Sequence, residues 1–433
     1  MKIGIDIRCL MNQHRTGVGE YTYELLNALF SIDRANQYFL FYNSYIDVSK
    51  YVRLWNQENV QYVETRWPNK IFSASQVLFG LPKLDHVVRH CEERVSERRG
   101  NLVDTRAGHC QGDRHDPIRI GSRDDSFVDV FFSPNLNFTS ISRNVKHVLT
   151  IHDLSFEIVP DCYSPKQQLW HKIVNPKKQC ERAGVILTPS ENTRRDVVEL
   201  YGVGEKKVCV LKPGLSANFL KLETGPTSST DSVSVHRRNW KLGIKEKYDL
   251  PEKYILFLGT IEPRKNVLGV IKAFQRSSLI INHYSLIIAG PKGWKSGEIL
   301  REIDGTDKIR YIGYVPAEDK PALYALADVF VYPSLYEGFG FPVLEAMASG
   351  TPVITSNRSS LPEVAGDAAY LVNPYNVAEI ATAIERLATD KQLRDLFVER
   401  GKERAREFEW NETAKEFLEI IVMSKQKGVA YIE

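Results

Sequence analysis

Tyr332-Pro333-Ser334-Leu335-Tyr336-Glu337-Gly338-Phe339-Gly340-Phe341-Pro342-Val343-Leu344-Glu345-Ala346-Met347-Ala348-Ser349-Gly350 reads as one unit. The apolar run Asp328-Val329-Phe330-Val331-Tyr332 that leads into it predicts a buried strand. Pro342 suits a first helical position and Gly350 a stop just past the helix end. Strand, glycine turn and helix place main-chain N–H groups of Gly338, Phe339 and Gly340 at a helix N-terminus, where the dipole favours an anion such as a diphosphate. Glu345 falls one turn into the helix, where a carboxylate suits sugar hydroxyls better than phosphate. Glu337, on the turn, is placed to accept from a different set of hydroxyls.

The same unit recurs elsewhere. Ile3 to Ile7 reads as a strand, followed by the glycine loop Arg15-Thr16-Gly17-Val18-Gly19-Glu20 and the amphipathic run from Tyr21 to Leu29. A second strand, Tyr254 to Gly259, is followed by Thr260-Ile261-Glu262-Pro263-Arg264-Lys265-Asn266. Two cations at a helix start oppose the dipole unless an anion lies between them and the backbone, so Arg264 and Lys265 are the expected diphosphate clamp.

Between these landmarks strand runs (38–42, 60–63, 128–132, 147–151, 183–188, 208–211) alternate with helical ones (166–182, 193–201). Further on, strands at 285–289, 309–312, 329–332, 352–355 and 369–372 alternate with helices at 267–275, 322–327 and 378–388. Such alternation implies parallel sheets covered on both faces. At 433 residues the chain suggests two cores rather than one. The expected division is 1–215, a linker over 216–250 rich in turn formers, and 251–410.

Residues 86–127 break the pattern. They hold eight arginines, eight acids and four histidines (His86, His90, His109, His115) with no lysine, a composition that predicts a solvated insertion rather than a packed strand. Their His and Cys residues lack the spacing of a structural zinc site, so no metal ligand is assigned.

The pattern of Glu337, seven intervening residues and Glu345, with the glycine turn and Pro342 between, resembles the signature of the retaining glycosyltransferases of family 4. That resemblance implies an α/β GT-B architecture: two Rossmann-like, doubly wound domains facing a central cleft. The first would be an acceptor domain, against which a last helix over 411–425 packs back, and the second a nucleotide-sugar donor domain. In the family an amino-terminal glycine loop, here Gly17, lies near the donor phosphate, and a histidine comparable to His152 in Thr150-Ile151-His152-Asp153 faces the donor sugar. A histidine that merely caps a strand end is the other reading. Val315, in Tyr314-Val315-Pro316 after a strand, is expected where the nucleotide base rests. The expected site is therefore His152, Glu337, Arg264 and Lys265 for chemistry, with Gly17, Val315, Gly338, Phe339, Gly340 and Glu345 binding the donor. Ser190 reads as a helix cap, and Glu363 as structural.

Composition narrows the rest. A net charge of +3 does not suggest a nucleic-acid protein. Six dispersed cysteines suggest neither a disulfide framework nor a zinc ribbon, and no run of apolar residues is long enough to span a bilayer. A cytoplasmic protein, with peripheral contact at the inner membrane face, is expected. No Asp-x-Asp pair occurs, so fixed cations rather than a metal are expected to neutralise the leaving group, and no cofactor beyond the nucleoside diphosphate sugar is implied. The resemblance is nearest to bacterial mannosyltransferases of polysaccharide assembly. It implies GDP-mannose as donor, with UDP- or dTDP-hexose as the alternative, and a glycan or lipid-linked glycan as acceptor. A sugar-nucleotide epimerase or a non-catalytic nucleotide-sugar-binding protein are the rival readings.

Overall fold

A computed structural model of the chain describes residues 1–13, 15, 17–88, 128–220, 240–303 and 306–426. Among these residues the first sheet contains β1 (Lys2–Asp6), β2 (Gln37–Asn43), β3 (Val60–Thr65), β4 (Val130–Ser133), β5 (Lys146–Thr150), β6 (Val185–Thr188) and β7 (Val208–Val210). Its order is β3-β2-β1-β4-β5-β6-β7 and every pairing is parallel. The second contains β8 (Tyr254–Leu258), β9 (Ser285–Ala289), β10 (Ile309–Gly313), β11 (Val329–Tyr332), β12 (Val353–Ser356) and β13 (Tyr370–Val372). They run β10-β9-β8-β11-β12-β13, again all parallel.

Strands covered on both faces must be apolar throughout. All five residues of β8 and all four of β11 are buried. At about 1.5–3 kcal/mol for each fully buried large side chain, these short runs are strong determinants of the second core. In both sheets the winding direction reverses beside the first strand, between β1 and β4 and between β8 and β11. Loops leaving the carboxyl ends of neighbouring strands diverge there, and such switch points are where open α/β sheets hold their ligands. The loop after β8 carries Arg264 and Lys265, and the loop after β11 carries Glu337, so segments some seventy positions apart meet because their strands are neighbours.

Three details differ from or refine the sequence reading. The expected helix over 166–182 is two helices, Pro165–Val174 and Pro176–Arg182. Pro176 has no N–H to give and its ring would clash in a helix interior, so the break falls at Asn175, which adopts φ 52° and caps the second helix through Lys178 N at 3.1 Å. The insertion expected at 86–127 has packed residues at its start: Val87 and Val88 are buried with Leu84, Val128 and Phe131. Residues 89–127 lie outside the described residues, as do 221–239 of the 216–250 connection. On the flanks of the latter, Leu215, Phe219, Ile244 and Leu250 are buried in the second core.

The helix Trp410–Gln426 packs on the first core, not the second. Trp410, Ala414, Phe417, Ile420 and Ile421 form its buried stripe, with Phe417 4.7 Å from Phe132 and Trp410 5.6 Å from Tyr21 between ring centroids. Gly214 lets this crossing pass: a Cβ there would stand 2.2 Å from Trp410 N.

Candidate active site

Three side chains from two loops form the centre of the site. Glu337 accepts from Lys265 Nζ at 2.6 Å through one carboxylate oxygen and from Arg264 Nη1 at 3.0 Å through the other. Tyr332, at the end of β11, adds its hydroxyl at 3.0 Å. The loops are registered by Asn266, whose φ of 57° turns the chain and whose side-chain amide donates to Pro333 O at 3.1 Å and Pro374 O at 2.7 Å. Arg264 is held from several sides. Its Nε and Nη2 reach Glu262 Oε1 at 3.2 and 3.0 Å, and its Nη1 also donates to Tyr336 O at 2.9 Å and lies 3.8 Å from Asp153.

Sequence reasoning placed an anion between the cations and the backbone; here the carboxylate of Glu337 is the anion that both cations meet. Burial alone would raise the Glu337 carboxyl, but the charges of Arg264 and Lys265 outweigh it and bring it down to about 2. Burial also lowers Lys265, with Arg264 adding like-charge repulsion that Glu337 only partly offsets. For Arg264 the balance reverses: against burial, Glu337, Asp153 and Glu262 together raise its pKa. One carboxylate thus serves two buried cations at once. Buried cations that share one counter-charge are suited to meeting a diphosphate.

The turn after Glu337 opens the helix Phe341–Ala348, with Gly340 as its cap residue at φ 121° and no capping side chain. Phe339 is buried and stacks edge-on to Phe341 at 5.1 Å, fixing the turn. Glu345 lies one turn in, accepting from Tyr324 Oη at 2.9 Å with Lys320 at 3.6 Å. Val315 follows β10 and its side chain is buried in the second core, which leaves main-chain groups as its contribution to any binding surface. Gly338 has an unexpected reason to be glycine. A Cβ there would stand 1.8 Å from the carbonyl oxygen of His152 in the first domain.

His152 follows β5 and donates from Nε2 to Pro134 O at 2.8 Å, the partner being a carbonyl. Burial pushes its pKa down against the opposing effect of that carbonyl and of Asp153. The ring is therefore neutral near pH 7 with Nδ1 as its acceptor nitrogen. Tyr21 packs edge-on against it at 4.8 Å. Gly17 opens the helix Gly17–Ile32 one turn before Tyr21, on the same helix face, with open space where a Cβ would stand. Asp153 accepts from Ser155 N at 3.0 Å and Ser155 Oγ at 2.5 Å, and so holds the chain beside His152.

The chain was compared with known proteins. Residues 240–404 match the model of the glycosyl transferases group 1, and residues 129–219 that of Glycosyltransferase Family 4. An O-antigen chain mannosyltransferase B of Escherichia coli is 36% identical over 279 residues, covering 63% of this chain and 69% of the relative. The chain belongs to glycosyltransferase family 4. The transferase is also 30% identical over 275 residues to the serotype-specific mannosyltransferase WbdA of Escherichia coli, covering 62% of this chain but 32% of that longer protein. A glycosyltransferase structure from Rickettsia africae ESF-5 superposes with a TM-score of 0.65 at 16% identity, covering 99% of both chains, and the fold is GT-B.

Two residues that hold this cluster together were not assigned from the sequence. Tyr332 and Glu262 stood inside the quoted motifs, but nothing in their spacing says that one donates to Glu337 and the other anchors Arg264. Among the described residues no helix is long and apolar enough to cross a membrane.

Proposed function

We propose that this chain moves a hexose from a nucleoside diphosphate to an acceptor hydroxyl with retention of anomeric configuration, in polysaccharide or lipid-linked glycan synthesis. Mannose from GDP-mannose is the donor the mannosyltransferase relatives favour; UDP- and dTDP-hexoses are the alternatives. The observation that carries the reading is the meeting of Lys265, Arg264 and Glu337 within 2.6–3.0 Å at the start of the helix Phe341–Ala348. Lys265 and the main chain of Gly338 to Gly340 would hold the diphosphate, Arg264 would complete its neutralisation, and Glu345 would accept from the ribose. Glu337 and neutral His152 would face the sugar, with Gly17 and the main chain at Val315 bounding the phosphate and base. The cations of the protein take the place of a divalent ion as electrostatic stabilisers of the leaving group.

A donor panel tests this. GDP-mannose is expected to raise the melting temperature and to be slowly hydrolysed, with both effects unchanged in EDTA and the stabilisation weakened in Glu345→Ala. Loss of turnover in EDTA, restored by a divalent ion, would overturn metal independence. Stabilisation by no nucleotide sugar would overturn the donor site.

For peripheral membrane contact the supporting surface is the helix pair Pro165–Val174 and Pro176–Arg182. Leu169, Trp170 and Ile173 are exposed along one stripe, and Lys166, Lys172, Lys177 and Lys178 are exposed around them. Apolar residues ringed by lysines suit an anionic bilayer, each lysine contributing about 1 kcal/mol near such a surface. Sedimentation with phosphatidylglycerol vesicles is expected, lost in 0.5 M salt (about a twofold shorter screening length than at 0.1 M) and in Lys172→Glu/Lys178→Glu. Equal binding of that variant would remove this surface from the reading.

A further inference from the structure

The loop that carries Glu337 hangs from both domains. Arg264 Nη1 donates to Tyr336 O at 2.9 Å, and Ser360 Oγ lies 2.9 Å from Glu337 O and 2.7 Å from Phe339 O, so these carbonyls are held from within the second domain. Gly338 O turns the other way. It accepts from Ser190 Oγ at 2.7 Å and has Thr193 Oγ1 at 3.3 Å, both from the first domain and both fully buried.

Ser190 is the cap of the helix Glu191–Tyr201, accepting from Thr193 N at 3.1 Å. Capping uses a lone pair of the hydroxyl oxygen and leaves its proton free, with Gly338 O at 2.7 Å the nearer of its two acceptors and Thr193 Oγ1 at 3.0 Å the other. The remaining donors of that helix start are met from across the domains as well. Glu363 accepts from Glu191 N at 2.9 and 3.0 Å and from Asn192 N at 3.3 Å. Asn192 Nδ2 donates to Tyr336 Oη at 3.2 Å, and Tyr336 donates to Asp196.

We propose that Ser190, Thr193 and Glu363 form a catch, positioning residues that fix the Glu337 loop in its working register only when the two domains meet. The physical reason lies in Gly338. A glycine has the widest backbone freedom of any residue, so the peptide after it is held by whatever grips its carbonyl. Without the two hydroxyls the Glu337 side retains Ser359 and Ser360, while the Gly338 carbonyl loses its buried partners. Domain closure and the placement of Glu337 thereby become one event. The inference rests on the donor site proposed above.

The test compares Thr193→Val, Thr193→Ser and the double variant Ser190→Ala/Thr193→Val with wild type. Thr193→Val keeps the Ser190 cap, so it reports the catch in an intact helix. For the double variant kcat is expected to fall about 10-fold or more, with donor KM and donor-induced thermal stabilisation within about twofold of wild type; Thr193→Ser, which keeps the hydroxyl, is expected to keep the wild-type kcat. A double variant with wild-type kcat overturns the catch, as does a fall in kcat that only tracks a lower melting temperature. Small-angle scattering with GDP or UDP separates this from the donor reading. If wild type transfers no hexose but is compacted by nucleotide and the double variant is not, the donor reading fails and the catch stands. If neither protein is compacted, the catch falls.

Discussion

Gly338→Ala is expected to lower hexose transfer by about 100-fold or more while the protein folds and melts much as wild type does. The backbone of Gly338 does not lie in the left-handed region, so the second domain by itself accepts an alanine there. The three nearest clashes are all between domains: the added Cβ would stand 1.8 Å from His152 O, 2.8 Å from His152 C and 2.9 Å from the Asp153 Cβ. Two of these three atoms are main chain, and no rotamer change relieves a main-chain contact. The domains must part by about 1.5 Å to restore van der Waals separation, which withdraws Ser190 and Thr193 from Gly338 O and His152 from the Glu337 loop. Steady-state kinetics and a thermal melt on the same preparation check this. Gly340→Ala is the control with a different fault, since φ 121° strains any side chain whether or not the domains meet. Wild-type turnover in Gly338→Ala would show that the contact with His152 is not part of the working state.

Glu337→Gln is expected to separate binding from turnover. Removing the negative charge leaves Arg264 and Lys265 facing one another with less compensation, so the site holds a diphosphate at least as tightly as before. Turnover is expected to fall about 10²–10³-fold, the scale for losing one electrostatic group aimed at the reacting centre. Calorimetry with GDP and initial rates with donor report the two halves; wild-type kcat, or loss of GDP affinity in step with kcat, would sink the assignment. Stability follows from the same carboxylate. With its pKa lowered from 4.5 to about 2, Glu337 contributes on the order of 3 kcal/mol near neutral pH. Because the folded value is the depressed one, that contribution is full above about pH 4.5 and lost as pH falls through about 2. Acid titration should therefore cost wild type stability over that window, and Glu337→Gln should start lower and fall less steeply.

Much of this is legible in the sequence. The strands could be placed because residues such as Tyr254–Leu258 are buried on both faces and so read as unbroken apolar runs. The turn at Gly338–Gly340 and the pair Arg264-Lys265 announced themselves as a helix start and a charge that opposes its dipole. Other elements left little trace. The helix Lys391–Ala405 buries only Gly401 and Ala405, so it offers no apolar stripe to find. The break at Asn175–Pro176 was written in the sequence and is decided by proline chemistry. What could not be read is any role set by approach between domains. Ser190 and Gly338 are 148 positions apart, and a serine before a helix looks the same whether its proton goes to water or to another domain. The pairing of Glu337 with two cations was hidden for the same reason, since spacing shows where a carboxylate sits along the chain and not which charges surround it.

The return of Trp410–Gln426 to the first core has a consequence for biosynthesis. The wall formed by Trp410 and Phe417 covers Tyr21 of the helix Gly17–Ile32 and Phe132 of β4, made some three hundred to four hundred residues earlier. A ribosome must therefore complete the whole second domain before the first can be finished, and the half that begins first is sealed last.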